Sequence, residues 1–414
     1  MTDVTNTDLD ARVGVMFQEV LRQVHLGAPE ELAGILAEEV RRIGVDWLTV
    51  YVVDYEQQTL VPVPGPDAPA GTPLSIRGTM AGRAFASTNI VEVEVGSTGG
   101  RRLWVPLLDG TERIGVLLLT VASDEPIRDS LRAACERYAH FIALLLVSKS
   151  LYTDYFERLR RTRPMTVASE LIWELVPPLV LASHDFVLSA LLEPCYDLGG
   201  DAFDYALDEG VLHVAVFDAM GHGHSAAGMA ALALSAYRHS RVRGDGPAAA
   251  YAAIDEALAE HDLPSRFVTA LIAELELATG QLRWVSAGHP APLLLRDGRL
   301  VKTLDVTPSP PLALQLAAGP PAEGTESLEP GDMFLLYTDG LIEARRPGGE
   351  LFTVERLGEF IEREAAGGRA APETLRQLRE AIIERGAGAL HDDATAVLVE
   401  WRGAGPRAIL PATV

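Results

Sequence analysis

Apolar residues recur at two spacings along this chain, and the change of spacing marks its elements. Over Asp10–Val24 and Pro29–Ile43 they return every three or four positions, which predicts helices with one buried face. Trp47–Asp54, Ile90–Val95, Leu103–Leu108 and Ile114–Val121 are short apolar runs parted by Gly/Pro-rich turns, and read as strands. From Asp129 to Arg161 neither Gly nor Pro interrupts a helical pattern. Its seam runs Leu131, Cys135, Tyr138, Ile142, Leu145, Lys149, Tyr152, Phe156, Leu159, apolar or aromatic at every position but Lys149, which predicts a coiled-coil linker.

After Arg163-Pro164 the two periods alternate again. A short helix carries Ala168 to Leu175. Strands are expected at His184–Pro194, Val211–Phe217, Arg266–Leu277, Gln281–Ser286, Pro292–Arg296, Met333–Tyr337 and Thr395–Trp401. Helices are expected at His224–Val242, Pro247–His261, Val354–Ala365 and Pro372–Arg385, with an exposed loop over Thr307–Glu323. Four aspartates, Asp201, Asp218, Asp339 and Asp392, stand where apolar strand gives way to turn. Any one Asp-Gly of this kind is a common turn signal. Four carboxylates presented at strand ends are also what Mg²⁺ or Mn²⁺ requires, since hard divalent cations prefer oxygen ligands.

The succession Leu198-Gly199-Gly200-Asp201-Ala202-Phe203-Asp204, Asp218-Ala219-Met220-Gly221-His222-Gly223, Ser286-Ala287-Gly288-His289-Pro290, Tyr337-Thr338-Asp339-Gly340-Leu341 and Asp392-Asp393-Ala394-Thr395 resembles the metal-dependent protein phosphatases (PPM, the protein phosphatase 2C superfamily), most closely the bacterial SpoIIE/RsbU branch. The resemblance runs from about Glu170 to Trp401 and implies an α/β fold, the αββα sandwich of that family. It implies two ions, Mn²⁺ or Mg²⁺, bridged by Asp218, with the carbonyl of Ala219 on the second ion, Asp339 and Asp392 on the first, and Asp201 reaching the metals directly or through water. Asp393 occupies the neighbouring position and, with Gly221, His222 and Gly223, is expected to stand behind the ligands without touching an ion. Gly221 and Gly223 let the backbone turn its carbonyl to the metal. His222 either donates a proton to the leaving hydroxyl or fixes the loop, and His289 reads as a structural turn residue. The implied chemistry is in-line attack on a phosphoserine or phosphothreonine by activated water, and the implied substrate is a phosphorylated anti-sigma factor antagonist.

Gly78-Thr79-Met80-Ala81-Gly82-Arg83-Ala84-Phe85, with Leu103-Trp104-Val105-Pro106-Leu107 and Arg113-Ile114-Gly115-Val116-Leu117, resembles a GAF domain, a small sensory or dimerising module. Its ligand is unknown: no cysteine before Cys135 could hold a bilin, and a packed cavity without ligand is the equal alternative. The expected layout is a GAF-like α/β sensor over 1–125, a coiled-coil linker over 126–163, the phosphatase over 164–402 and a flexible tail over 403–414, assembled as a homodimer.

Composition narrows the class. A chain of 414 residues exceeds one ordinary core. With 35 Lys and Arg against 58 Asp and Glu, the net charge of −23 argues against nucleic acid or an anionic membrane as partner, and so against a metal-dependent nuclease. Two distant cysteines indicate neither a disulfide framework nor a zinc site. The polar, acidic start and the short apolar runs point to a cytoplasmic protein without membrane insertion. A pseudo-phosphatase that signals by binding is the competing reading.

Overall fold

The computed structural model describes residues 2–403 except 67–70, 96–99, 124, 262–265, 318, 345–351, 386–389 and 391. The chain divides into two compact units, Met1–Arg163 and Pro164–Val414. Of the expected tail, all but Gly403 lies outside the described residues.

The first unit runs α1 (Thr2–Val24), α2 (Leu32–Glu39), β1 (Trp47–Val53), β2 (Thr59–Pro62), β3 (Leu74–Ser75), α3 (Met80–Ser87), β4 (Val91–Glu94), β5 (Arg101–Asp109), β6 (Glu112–Val121), α4 (Asp129–Ser150) and α5 (Tyr155–Arg160). Its strands form one antiparallel sheet in the order β3-β2-β1-β6-β5-β4. Strand alternation gives this sheet two apolar faces. Leu48, Val50, Leu103, Val105, Leu117 and Leu119 pack under α1, α2 and α4, whereas Val53, Leu60 and Val116 pack with Ala84 and Phe85 of α3.

The single helix expected over Asp129–Arg161 is two helices. α4 stops at Ser150, and the chain restarts at Asp154, whose carbonyl accepts from the Arg158 amide. The expected linker therefore belongs to the first unit. Its seam is spent there: Cys135, Tyr138, Ile142 and Phe156 are buried in the unit's own core. Lys149, the polar exception, is buried because its ammonium donates to the carbonyl of Gly27 at 3.0 Å, just past the end of α1.

The second unit runs α6 (Val167–Leu175), β7 (Val180–Ala182), β8 (Phe186–Glu193), β9 (Asp201–Asp208), β10 (Val211–Ala219), α7 (His224–Val242), α8 (Pro247–Ala259), β11 (Val268–Glu276), β12 (Gln281–Ala287), β13 (Leu293–Arg296), β14 (Arg299–Thr303), β15 (Gly324–Ser327), β16 (Met333–Tyr337), α9 (Asp339–Glu343), α10 (Val354–Ala366), α11 (Ala371–Arg385) and β17 (Ala394–Trp401). Two antiparallel sheets result, ordered β15-β12-β11-β10-β9 and β14-β13-β16-β17-β8-β7.

Burial shows how they stack. In β17, Val397 and Val399 join Val214, Val216 and the helices α7 and α8 in one core, while Ala396 and Leu398 join Leu357, Phe360, Leu375 and Leu378 of α10 and α11 in another. A strand covered on both faces needs a continuous apolar run, and Ala396–Val399 is one. The order of layers is helix, sheet, sheet, helix, the αββα sandwich. Within β9, Asp204 is buried and holds Arg238 at 2.8 Å and Arg241 at 2.9 Å, fixing α7 to the sheet. No helix among the described residues is long and apolar enough to cross a membrane.

Candidate metal centre

The four aspartates come from two sheets. Asp201 opens β9 and Asp218 lies opposite it on β10, both in the five-stranded sheet. Asp339 begins α9 directly after β16, and Asp392 stands two residues before β17, both at the six-stranded sheet. The two strands that carry Asp339 and Asp392 are hydrogen-bonded neighbours, so these carboxylates start side by side. Gly340 and the backbone of Asp392 and Asp393 are in close approach.

Burial and repulsion act on this group together. Desolvation first, then the charges of Asp339, Asp392 and Asp393, raise the pKa of Asp218 to about 7. Asp201, fully buried, is held well above the carboxylate range by burial, then by the charges of Asp218 and Asp393. Asp339 is raised by burial and by Glu343 and Asp392. Carboxylates forced together out of water resist ionising unless a cation neutralises them, so the donor set suits a hard divalent ion. Among the described residues no three acidic, His or Cys side chains meet at one cation-sized point.

The surroundings are built for Asp201. Its Oδ2 accepts from the hydroxyls of Thr338 and Thr395, each at 2.7 Å, leaving Oδ1 for another partner. Thr338 Oγ1 in turn accepts from the Thr395 amide at 2.9 Å. Asp393, expected to stand behind the ligands and not on an ion, spends its carboxylate on the main chain. Oδ2 accepts three amides, Gly199 at 2.7 Å, Gly200 at 2.6 Å and Asp201 at 3.2 Å. Burial raises its pKa, and those three donors offset only part of the rise. Asp393 thus ties the turn before β9 to the strand β17 of the other sheet.

The carbonyl of Ala219 lies beside Gly200, where a Cβ would stand 2.4 Å from that oxygen, so the glycine keeps the carbonyl accessible. Gly221 and Gly223 have φ of 94° and 76°, the left-handed region that the turn after β10 requires. His222 is exposed, its Cα close to Gly199. His289 is buried, with Nδ1 2.8 Å from Thr269 Oγ1 and Nε2 3.0 Å from the Tyr337 carbonyl. Thr269, Thr338 and Thr395 are the functional neighbours that pattern reading passed over. Thr338 and Thr395 flank the aspartates in sequence, the one signal that pointed to them.

Residues 208–402 match a protein-family model described as Stage II sporulation protein E (SpoIIE). Phosphoserine phosphatase RsbP of Bacillus subtilis (strain 168) is 28% identical over 152 residues, which are 36% of this chain and 37% of RsbP. Phosphoserine phosphatase RsbU of the same organism is 24% identical over 217 residues, 51% of this chain and 62% of RsbU. The chain therefore spans less than two thirds of the length of either relative. The crystal structure of the RsbU and RsbW domains of Rv1364c from Mycobacterium tuberculosis aligns with a TM-score of 0.46 at 27% identity, over 56% of this chain and 63% of that one.

Proposed function

We propose that this chain, in which residues 208–402 form a SpoIIE-type domain, is a metal-dependent serine/threonine protein phosphatase. The observation that carries the reading is the gathering of Asp201, Asp218, Asp339 and Asp392 at one end of the sandwich, with burial and mutual repulsion raising the pKa of Asp218 to about 7. Two Mn²⁺ or Mg²⁺ ions bound there would supply a water acidified toward neutrality and positive charge against the phosphoryl oxygens. Asp218, which feels Asp339, Asp392 and Asp393 together, takes the bridging place. Asp339 and Asp392 serve one ion and the Ala219 carbonyl the other. Asp201, with Oδ2 held by two threonines, offers Oδ1 to an ion or its water. His222, exposed in the turn after β10, would donate a proton to the leaving hydroxyl.

The substrate within this proposal is a phosphorylated protein, an anti-sigma factor antagonist, a reading supported by the likeness to two phosphoserine phosphatases. The first unit acts as a GAF-like sensor, supported by its six-stranded antiparallel sheet with helices on both faces. A cytoplasmic homodimer completes the reading, with Leu151, 83% exposed, as apolar surface for a second copy.

The test is release of phosphate from a phosphoserine peptide by the full chain with Mn²⁺, with Mg²⁺ and with EDTA. Turnover that needs the metal and vanishes in Asp218→Ala is expected. Metal-independent turnover, or an unimpaired Asp218→Ala, would sink the assignment. Phosphopeptide binding without phosphate release would favour the pseudo-phosphatase.

A further inference from the structure

His289 belongs to neither the aspartates nor the loop between them, yet it is 6% exposed and both ring nitrogens are engaged. Its environment defines its form. Burial lowers its pKa to about 4, so the ring is neutral at physiological pH. The carbonyl of Tyr337 can only accept, which puts the single ring proton on Nε2 and leaves Nδ1 as an acceptor for the hydroxyl of Thr269. The backbone holds the ring in place. Ser286 Oγ donates to the His289 carbonyl at 2.9 Å and accepts from its amide at 3.2 Å, closing the turn after β12.

Those two partners lie on different sheets. Thr269 is on β11 of the five-stranded sheet, directly across from Asp218 on β10, where its side chain lies beside the Asp218 carboxyl and offsets part of the rise in that carboxyl's pKa. Tyr337 ends β16 of the six-stranded sheet, two residues before Asp339. The imidazole therefore spans from the neighbour of one aspartate to the strand that delivers another.

We propose that His289, acting through Thr269, is a positioning residue for the metal centre: it sets the spacing of Asp218 and Asp339 and keeps Asp218 free to serve as a ligand. The proposal rests on the metal-phosphatase reading above. Thr269 has one hydroxyl proton and two acceptors within reach, Nδ1 and the Asp218 carboxylate. Once a cation takes the carboxylate, the hydroxyl turns wholly to Nδ1. Without the imidazole, that proton would compete with the cation for the lone pairs of Asp218 or be left unpaired. Partners that orient metal ligands in this way typically affect metal affinity by about 10–100-fold when removed.

The experiment measures Mn²⁺ binding to the full-length chain by electron paramagnetic resonance of the free ion, and in parallel the Mn²⁺ dependence of turnover. Thr269→Val keeps the β-branched shape and removes the hydroxyl. It should weaken Mn²⁺ binding by about tenfold or more with kcat at saturating Mn²⁺ largely kept and metal-free melting unchanged. Thr269→Ser should bind as the wild type does, and His289→Gln should behave as Thr269→Val. Wild-type Mn²⁺ affinity in Thr269→Val, or equal weakening in Thr269→Ser, overturns the proposal while leaving the phosphatase reading intact. A wild-type chain that binds no Mn²⁺ overturns both. If His289→Gln fails to fold, the two threonine variants still decide.

Discussion

Gly340 sits so close to the main chain of Asp393 that a Cβ built on it would stand 1.9 Å from the Asp393 carbonyl oxygen. That approach keeps the Asp339 and Asp392 segments together, and no side chain fits. Gly340→Ala must push them apart. It should cost about 3 kcal/mol or more in urea unfolding and abolish turnover. Gly228→Ala is the control: it lies on the exposed side of α7 with nothing within 4 Å of a new Cβ, and should stabilise by up to about 1 kcal/mol. Gly340→Ala with wild-type unfolding and turnover would show that the approach is not needed.

Asp218→Asn should separate activity from stability. The folded-state pKa of Asp218 is raised to about 7 from the ordinary carboxylate value of 3.8, so the metal-free fold binds its proton more tightly than the unfolded chain does. Its contribution to stability is intact below about pH 4, declines as pH rises through about 7, and stays lost above that. The neutral amide removes this penalty. Metal-free Asp218→Asn should melt several degrees above wild type at pH 8, at ~2–4 °C per kcal/mol for a unit this size, and show no gain at pH 4. It should be inactive at every pH. A variant that melts below wild type at pH 8 would contradict the repulsion inferred here.

Removing the Asp393 carboxylate leaves three amide donors without their acceptor in a buried turn. Asp393→Ala should destabilise by about 3 kcal/mol. Asp393→Asn retains one acceptor oxygen and should recover a good part of that. Chemical denaturation of both variants checks the order. Equal losses would mean that the side chain acts by filling space.

Ile142 and Leu144 lie on opposite sides of α4, one fully buried and the other 56% exposed. Ile142→Asp puts an unpaired carboxylate in the core of the first unit and should cost about 3–5 kcal/mol. Leu144→Asp should stay within about 0.5 kcal/mol. Calorimetry of the full chain would show the first unit's transition moved only by Ile142→Asp. The reverse order would restore the reading in which this seam faces a second chain.

Strands covered on both faces were legible as apolar runs, and the four aspartates were found because each stands where such a run stops. β9 was not. Asp201, Asp204 and Asp208 give it the look of a loop, since Asp is poor in strands, and only the clasp by Arg238 and Arg241 makes Asp204 tolerable inside. The helix seam was read as a coiled coil, yet Cys135, Tyr138, Ile142 and Phe156 of it are buried inside the first unit, because periodicity does not say against what a stripe packs. Lys149 needed the carbonyl of Gly27, 122 residues away, to be understood. The hydroxyl partners of Asp201 lie 137 and 194 residues along the chain, so no local pattern could assign them. His289 read as a turn residue because its turn is real; what it spans is set by the stacking of the sheets.

The bond from Asp393 to the turn before β9 closes across 192 to 194 residues. Synthesis proceeds from the N-terminus, so Gly199, Gly200 and Asp201 leave the ribosome long before the carboxylate that receives their amides. Until β17 inserts between β16 and β8, the six-stranded sheet is split and its last two aspartates are missing. A nascent chain can thus complete the whole first unit and most of the second before all the carboxylates of the proposed metal centre exist. Arrival of β17 is the step that completes the proposed metal centre, the last of its parts to be made.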